Sequence, residues 1–90
     1  MHVLVEVEGT YAGLSRFVDV AVVGPWTLPV RETILILEGA ARIEIAGGPT
    51  VELGVGEMAS LPKGAVTTRH LTLPFKELWF FGSAYEMGVG

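Results

Sequence analysis

From end to end this chain alternates apolar and polar residues with a period of two. Glycine or proline breaks the alternation roughly every ten residues. Val3, Val5 and Val7 alternate with Leu4, Glu6 and Glu8; Val18, Val20 and Val22 with Asp19 and Ala21; Ala41, Ile43 and Ile45 with Arg42 and Glu44; Val51 and Leu53 with Thr50 and Glu52. Each run reads as a strand with one buried face. The run Thr33 to Leu37 is apolar on both faces and suits a central strand or one that also meets a partner subunit, as does Leu78 to Phe81. The breakers are Gly9, Gly13, Gly24 with Pro25, Gly39, Gly47 to Pro49, Gly54, Gly56, Pro62 with Gly64, and Pro74. They leave no room for a helix longer than a turn, so an all-β sandwich or barrel is predicted.

Ninety residues make one domain, 1–90, and every strand must share its core. Half of the residues are hydrophobic and only 18% charged, more apolar surface than a small monomer needs, and this predicts a homodimer. A formal net charge of −4 with scattered Lys and Arg gives no field for phosphates, so no nucleic-acid partner is expected. The absence of cysteine excludes disulfides, thiolate chemistry and cysteine zinc sites. Glu6 and Glu8 stand where a signal peptide would need apolar residues, and no apolar run is long enough to cross a bilayer as a helix. A cytoplasmic protein with no membrane partner is expected.

Two spacings carry more specific information. Gly56, five residues, Pro62, one residue and Gly64 form one; Glu32, six residues and Gly39 form the other. Locally, Gly39 should end an apolar strand, while Pro62 and Gly64 make a rigid turn that delivers the next strand, from near Ala65, into the core. In these spacings the chain resembles the cupin superfamily across about Trp26 to Phe81. Within it, the chain is similar to small cupins of the ethanolamine-utilisation and ureidoglycolate-related group, which share the Trp26 to Glu32 spacing and a proline followed by a basic residue, here Pro74 and Lys76. The resemblance implies a cupin-type β-barrel or jelly-roll sandwich around a small-molecule pocket.

In metal-binding cupins the first motif supplies two histidines and a glutamate, and the second a third histidine. By that resemblance only Glu32 is retained. Trp26 and Leu28, or Pro25 and Thr27 with a longer spacer, stand at the first two histidine positions, Thr67 at the third and Leu71 at the later asparagine. One carboxylate and a hydroxyl hold a transition metal weakly, so no metal or other cofactor is expected. His70 is a weak ligand candidate beside Glu32: strand parity turns Thr67, Arg69 and Leu71 inward and His70 outward, and only a bulge would reverse this.

Glu32 and Arg69 are therefore expected to face each other across the pocket, either as a buried pair or as a solvated one at the rim. Arg69, Trp26 and Thr67 are the candidate ligand-binding residues, since a guanidinium fork suits a carboxylate or phosphate. Glu32 is the candidate catalytic residue, as a proton acceptor. Trp26 is placed at the pocket mouth, Trp79 in the core or a dimer contact, His2 at a solvated terminus, and Tyr11 and Tyr85 in irregular stretches. Three functions follow. The first is a metal-independent cupin that binds a small anionic metabolite and is suited to isomerase- or lyase-type proton transfer. The second is a non-catalytic dimeric binding or sensor module with a solid barrel, and the third a metal enzyme with a non-standard ligand set.

Overall fold

A computed structural model describes residues 2–7 and 10–82, with side chains from 12 to 82. Seven strands follow in chain order: β1 (His2–Val7), β2 (Thr10–Phe17), β3 (Val22–Thr27), β4 (Glu32–Ile45), β5 (Thr50–Leu53), β6 (Met58–Leu61) and β7 (Val66–Phe81). No helix occurs among the described residues. All pairings are antiparallel, in the order β1-β2-β7-β4-β5, with β3 added on β7 and β6 on β4.

The two long strands build the sandwich. The first half of β7 pairs with β3 and the second with β2, while β4 runs beside β7 throughout and takes β6 on its first half and β5 on its second. Each therefore passes from one layer into the other. The crossing lies where the β4–β7 register slips, around Ile36, Glu38 and Ala40.

Gly39 is the hinge of that crossing, which corrects the expectation that it ends a strand. It sits at φ 80°, and a Cβ there would lie 2.3 Å from the Thr72 carbonyl oxygen and 2.5 Å from that of Pro74. Only glycine lets the two backbones approach so closely. The slip also changes parity: Glu32, Ile34 and Ile36 are buried before it, Ala41 and Ile43 after it. A register slip in a half-buried strand would normally send its apolar residues into water; here the sequence changes phase with the backbone.

Leu28, Ile34, Ile36, Ile43, Leu61, Leu71, Phe75 and Trp79 fill the interior with Ala41 and Leu53. The alternations predicted around Ile43 and Leu53 thus face inward as read, and Trp79 belongs to the core. Val18, Val20 and Val22 do not behave as a half-buried strand. Val18 is 63% exposed, Val20 and Val22 are also exposed, and the strand begins only at Val22. β3 is an edge strand pairing with β7 alone, so period-two valines here find no second layer to cover them. Tyr11 lies in β2 rather than in an irregular stretch, and Tyr85 falls outside the described residues. The backbone at His2 is strand, paired with Ser15.

Candidate functional site

β7 keeps one parity along its whole length, and its odd-numbered residues form the floor of a polar cluster at one end of the sandwich. Thr67, Arg69 and Glu77 are all buried there, below the core residues Leu71 and Phe75 and beside Trp79. Glu32, first residue of β4, faces them and is 3% exposed. Arg69 donates from Nη2 to Oε1 of Glu32, so the two residues expected across a pocket pair in the buried form, while the open groove described below is lined by neither.

A second carboxylate shares the same guanidinium. Glu77 Oε1 lies 3.9 Å from Arg69 Nη1, too far for a hydrogen bond but within ion-pair reach. Burial raises the Glu77 carboxyl from its ordinary value to about 7; Arg69 opposes the rise and Glu32 adds to it. Glu77 thus holds its proton to a higher pH than a carboxyl in water does. Glu77 was not anticipated from the sequence, although it shares the odd parity of Thr67 and Arg69.

Aromatic rings close this end. The Arg69 Cζ stands 6.0 Å from the centre of the Trp26 ring, a cation–π distance. Trp26 is 6.0 Å from Phe81, which is 4.9 Å from Trp79, and the Trp79 indole donates to Ser15 Oγ at 2.8 Å. Trp26 is 40% exposed and is not among the residues that line the open groove described below. Its position follows from pairing with Thr67, whose buried hydroxyl has no hydrogen-bond partner; neither does Glu77 Oε2. Buried polar atoms left unpaired each cost on the order of 1–3 kcal/mol, so the cluster retains unused capacity to hold a polar group.

His70 points the other way. Its Nε2 meets Glu44 Oε1 at 2.5 Å on the outer face, and that hydrogen bond is the main cause holding the Glu44 carboxyl below its usual value. No bulge intervenes between Arg69 and His70, so parity holds and His70 does not join Glu32. An open groove of about 620 Å³ lies beside it, lined by residues including Arg42, Glu52, Glu57 and Thr72, but by neither Glu32 nor Arg69.

The cluster does not suit a metal ion. Trp26 and Leu28 offer no donor, and the Glu32 carboxylate already faces a fixed guanidinium whose charge would repel a cation. No group of three His, Cys, Asp or Glu side chains able to hold a metal occurs among the described residues. No described helix is long and apolar enough to cross a membrane.

The profile of the EutQ-like cupin domain matches residues 21–78. A search of curated proteins finds no significant match. Among solved structures, a Neisseria meningitidis protein superposes with a TM-score of 0.78 at 18% identity, over 92% of this chain and 84% of its own. A Salmonella typhimurium protein assigned as ethanolamine utilization protein Q gives a TM-score of 0.76 at 22% identity, over 90% of this chain and 67% of that one. The DMSP lyase DddQ of Ruegeria pomeroyi gives 0.75 at 20% identity, over 92% of this chain but 46% of that one. At these identities the likeness is one of fold: all are sandwiches of this kind.

Proposed function

This chain belongs to the EutQ-like cupin family, and from that premise we propose that it is a metal-independent cytoplasmic cupin that binds a small anion at the polar end of its barrel. One observation carries the reading. Arg69 is buried between two carboxylates yet makes one hydrogen bond among the described residues, while the Thr67 hydroxyl and Glu77 Oε2 beside it make none. A carboxylate or similar monoanion would take up the remaining guanidinium N–H groups and the hydroxyl together.

Glu32 and Glu77 supply the proton chemistry. Glu32, held by Arg69, is the standing base of the cluster; Glu77, raised to about 7, is the group able to give or take a proton near neutrality. Such an arrangement suits isomerase- or lyase-type proton transfer, and a related fold is found in a DMSP lyase. Trp26, on an edge strand and partly exposed, is the side chain that must move to admit a ligand.

Elemental analysis and native mass spectrometry of protein purified without chelator or histidine tag test this reading. The expected result is no stoichiometric metal, with any retained small molecule lost in Arg69→Met. One equivalent of iron, nickel, manganese or zinc would overturn metal independence.

A second reading, a dimeric binding module, draws on the outer face of the other layer. Register brings Leu14, Leu78, Leu35 and Met58 into one row across four strands, with Ala12, Phe80 and Thr33 in the next. These residues point away from the core, and Met58 is 58% exposed. The row bordering them is Arg16, Lys76 and Glu38, basic at one end and acidic at the other. A twofold-related copy would set each end against its opposite, so the occupant is a second copy of this chain. Light scattering after size exclusion should give a dimer, and Leu35→Glu with Met58→Lys a monomer; a monodisperse wild-type monomer at micromolar concentration would remove this reading.

A further inference from the structure

Glu77 and a ligand anion would face the same guanidinium from different sides. Arg69 spends its Nη2 on Glu32 and turns Nη1 toward Glu77, so every negative charge brought to that end is felt by Glu77 across a few ångströms of buried space. With Glu77 ionised, the cluster of Glu32, Arg69 and Glu77 carries one net negative charge, and an entering anion meets repulsion in a poorly screened interior. With Glu77 protonated, the cluster is neutral and the carboxyl becomes a donor, able to offer a hydrogen bond to the anion.

Resting on the anion-binding reading above, we propose that Glu77 is the specificity-determining residue of the site, admitting a monoanion only together with one proton. The ligand class is accordingly a small monocarboxylate or equivalent singly charged acid, and a dianion is disfavoured. Glu77 is held to Arg69 by an ion pair alone, since at 3.9 Å it makes no hydrogen bond and its second oxygen has no hydrogen-bond partner.

The charged groups around Glu77 can be named strand by strand. β7 contributes Arg69 and β4 contributes Glu32, while the β4 residues nearer in register, Ile34 and Ile36, are apolar. On β2, Ser15 lies opposite Glu77, and Arg16 is on the other face. β1 places His2 at the register position opposite Ser15, so a His2→Ala control belongs in the experiment. His70 and Glu44 pair on the far side of the layer and take no part. The Glu77 carboxyl, raised to about 7, lies where a proton can be exchanged under ordinary conditions.

The test titrates sodium acetate into the full chain while NMR follows the Arg69 guanidinium and the Glu77 carboxyl carbon between about pH 6 and pH 9. Acetate should shift Arg69, and the Glu77 midpoint should rise when acetate saturates. Affinity should fall by about tenfold per pH unit on the alkaline side of the free Glu77 midpoint, the slope of one linked proton. Glu77→Gln should bind acetate equally across this range, and His2→Ala should keep the wild-type slope. If acetate moves Arg69 but leaves the Glu77 midpoint where it was, the coupling is wrong and the anion site stands. If acetate leaves Arg69 unmoved at every pH in both the wild type and Glu77→Gln, the anion site itself is wrong and the proton linkage falls with it. A Glu77 carboxyl that titrates in the ordinary carboxylate range overturns the coupling outright.

Discussion

Two consecutive residues of β7 each pair with a glutamate of β4, one on each side of the sheet. Arg69 turns inward to Glu32, both nearly inaccessible; His70 turns outward to Glu44, in contact with water. Inside, two carboxylates share one cation, and burial, with a smaller push from Glu32, keeps Glu77 protonated up to about 7 against the pull of Arg69. Outside, the hydrogen bond from His70 holds the Glu44 carboxyl below its usual value. The same pairing chemistry is thus a surface decoration on one face and a constraint on the whole barrel end on the other, because water screens the first and is excluded from the second.

The sharpest way to break that contrast is Arg69→Met. It leaves Glu32 and Glu77 buried with no cation, and should destabilise the fold by about 3–5 kcal/mol, read as the urea midpoint at neutral pH. Adding Glu32→Leu to Arg69→Met should recover a large part of that loss, since the uncompensated charge goes with it. If the double variant is no more stable than the single one, burial of charge is not what separates the two pairs.

Next in size is the pH dependence due to Glu77. In the fold its carboxyl is protonated up to about 7, whereas in the unfolded chain it ionises near 4.5. Between those values the unfolded state binds fewer protons, so stability should fall as pH rises, by about 3 kcal/mol in all, and then level off. Glu77→Gln should flatten this stretch of the stability curve in urea titrations at several pH values. If Glu77→Gln leaves the slope of this stretch unchanged, Glu77 is ionised in the fold across it.

His70→Gln should have the smallest effect. The urea midpoint at neutral pH should match the wild type within error, because an exposed pair contributes little. A marked loss would show that the outer pair also constrains the sheet.

Parity explains which parts of the site were legible in advance. A strand places neighbours on opposite faces whatever surrounds it, so Thr67 and Arg69 inward and His70 outward could be read from spacing. Glu77 follows the same rule and was missed because Pro74 looked like a break between two strands. A proline usually interrupts a ladder, and parity cannot be carried across an interruption. In the fold β7 runs unbroken from Val66 to Phe81, and the phase set at Thr67 persists to Trp79. Gly39 was misread for a related reason. A glycine between apolar runs looks like a turn, and only its closeness to the backbone of Thr72 and Pro74 reveals a strand bending between layers.

By itself the sequence determined the strand class, the spacing of the turns, and the faces of residues within each uninterrupted run, because these depend on local backbone geometry and on the period of burial. The tertiary structure alone decided that two long strands would serve both layers, and that the Glu32–Arg69 pair would be sealed rather than wetted. It alone brought a third charged residue against that pair. Those outcomes depend on distances between residues far apart in the chain, and on the exclusion of water that arises only when the layers close.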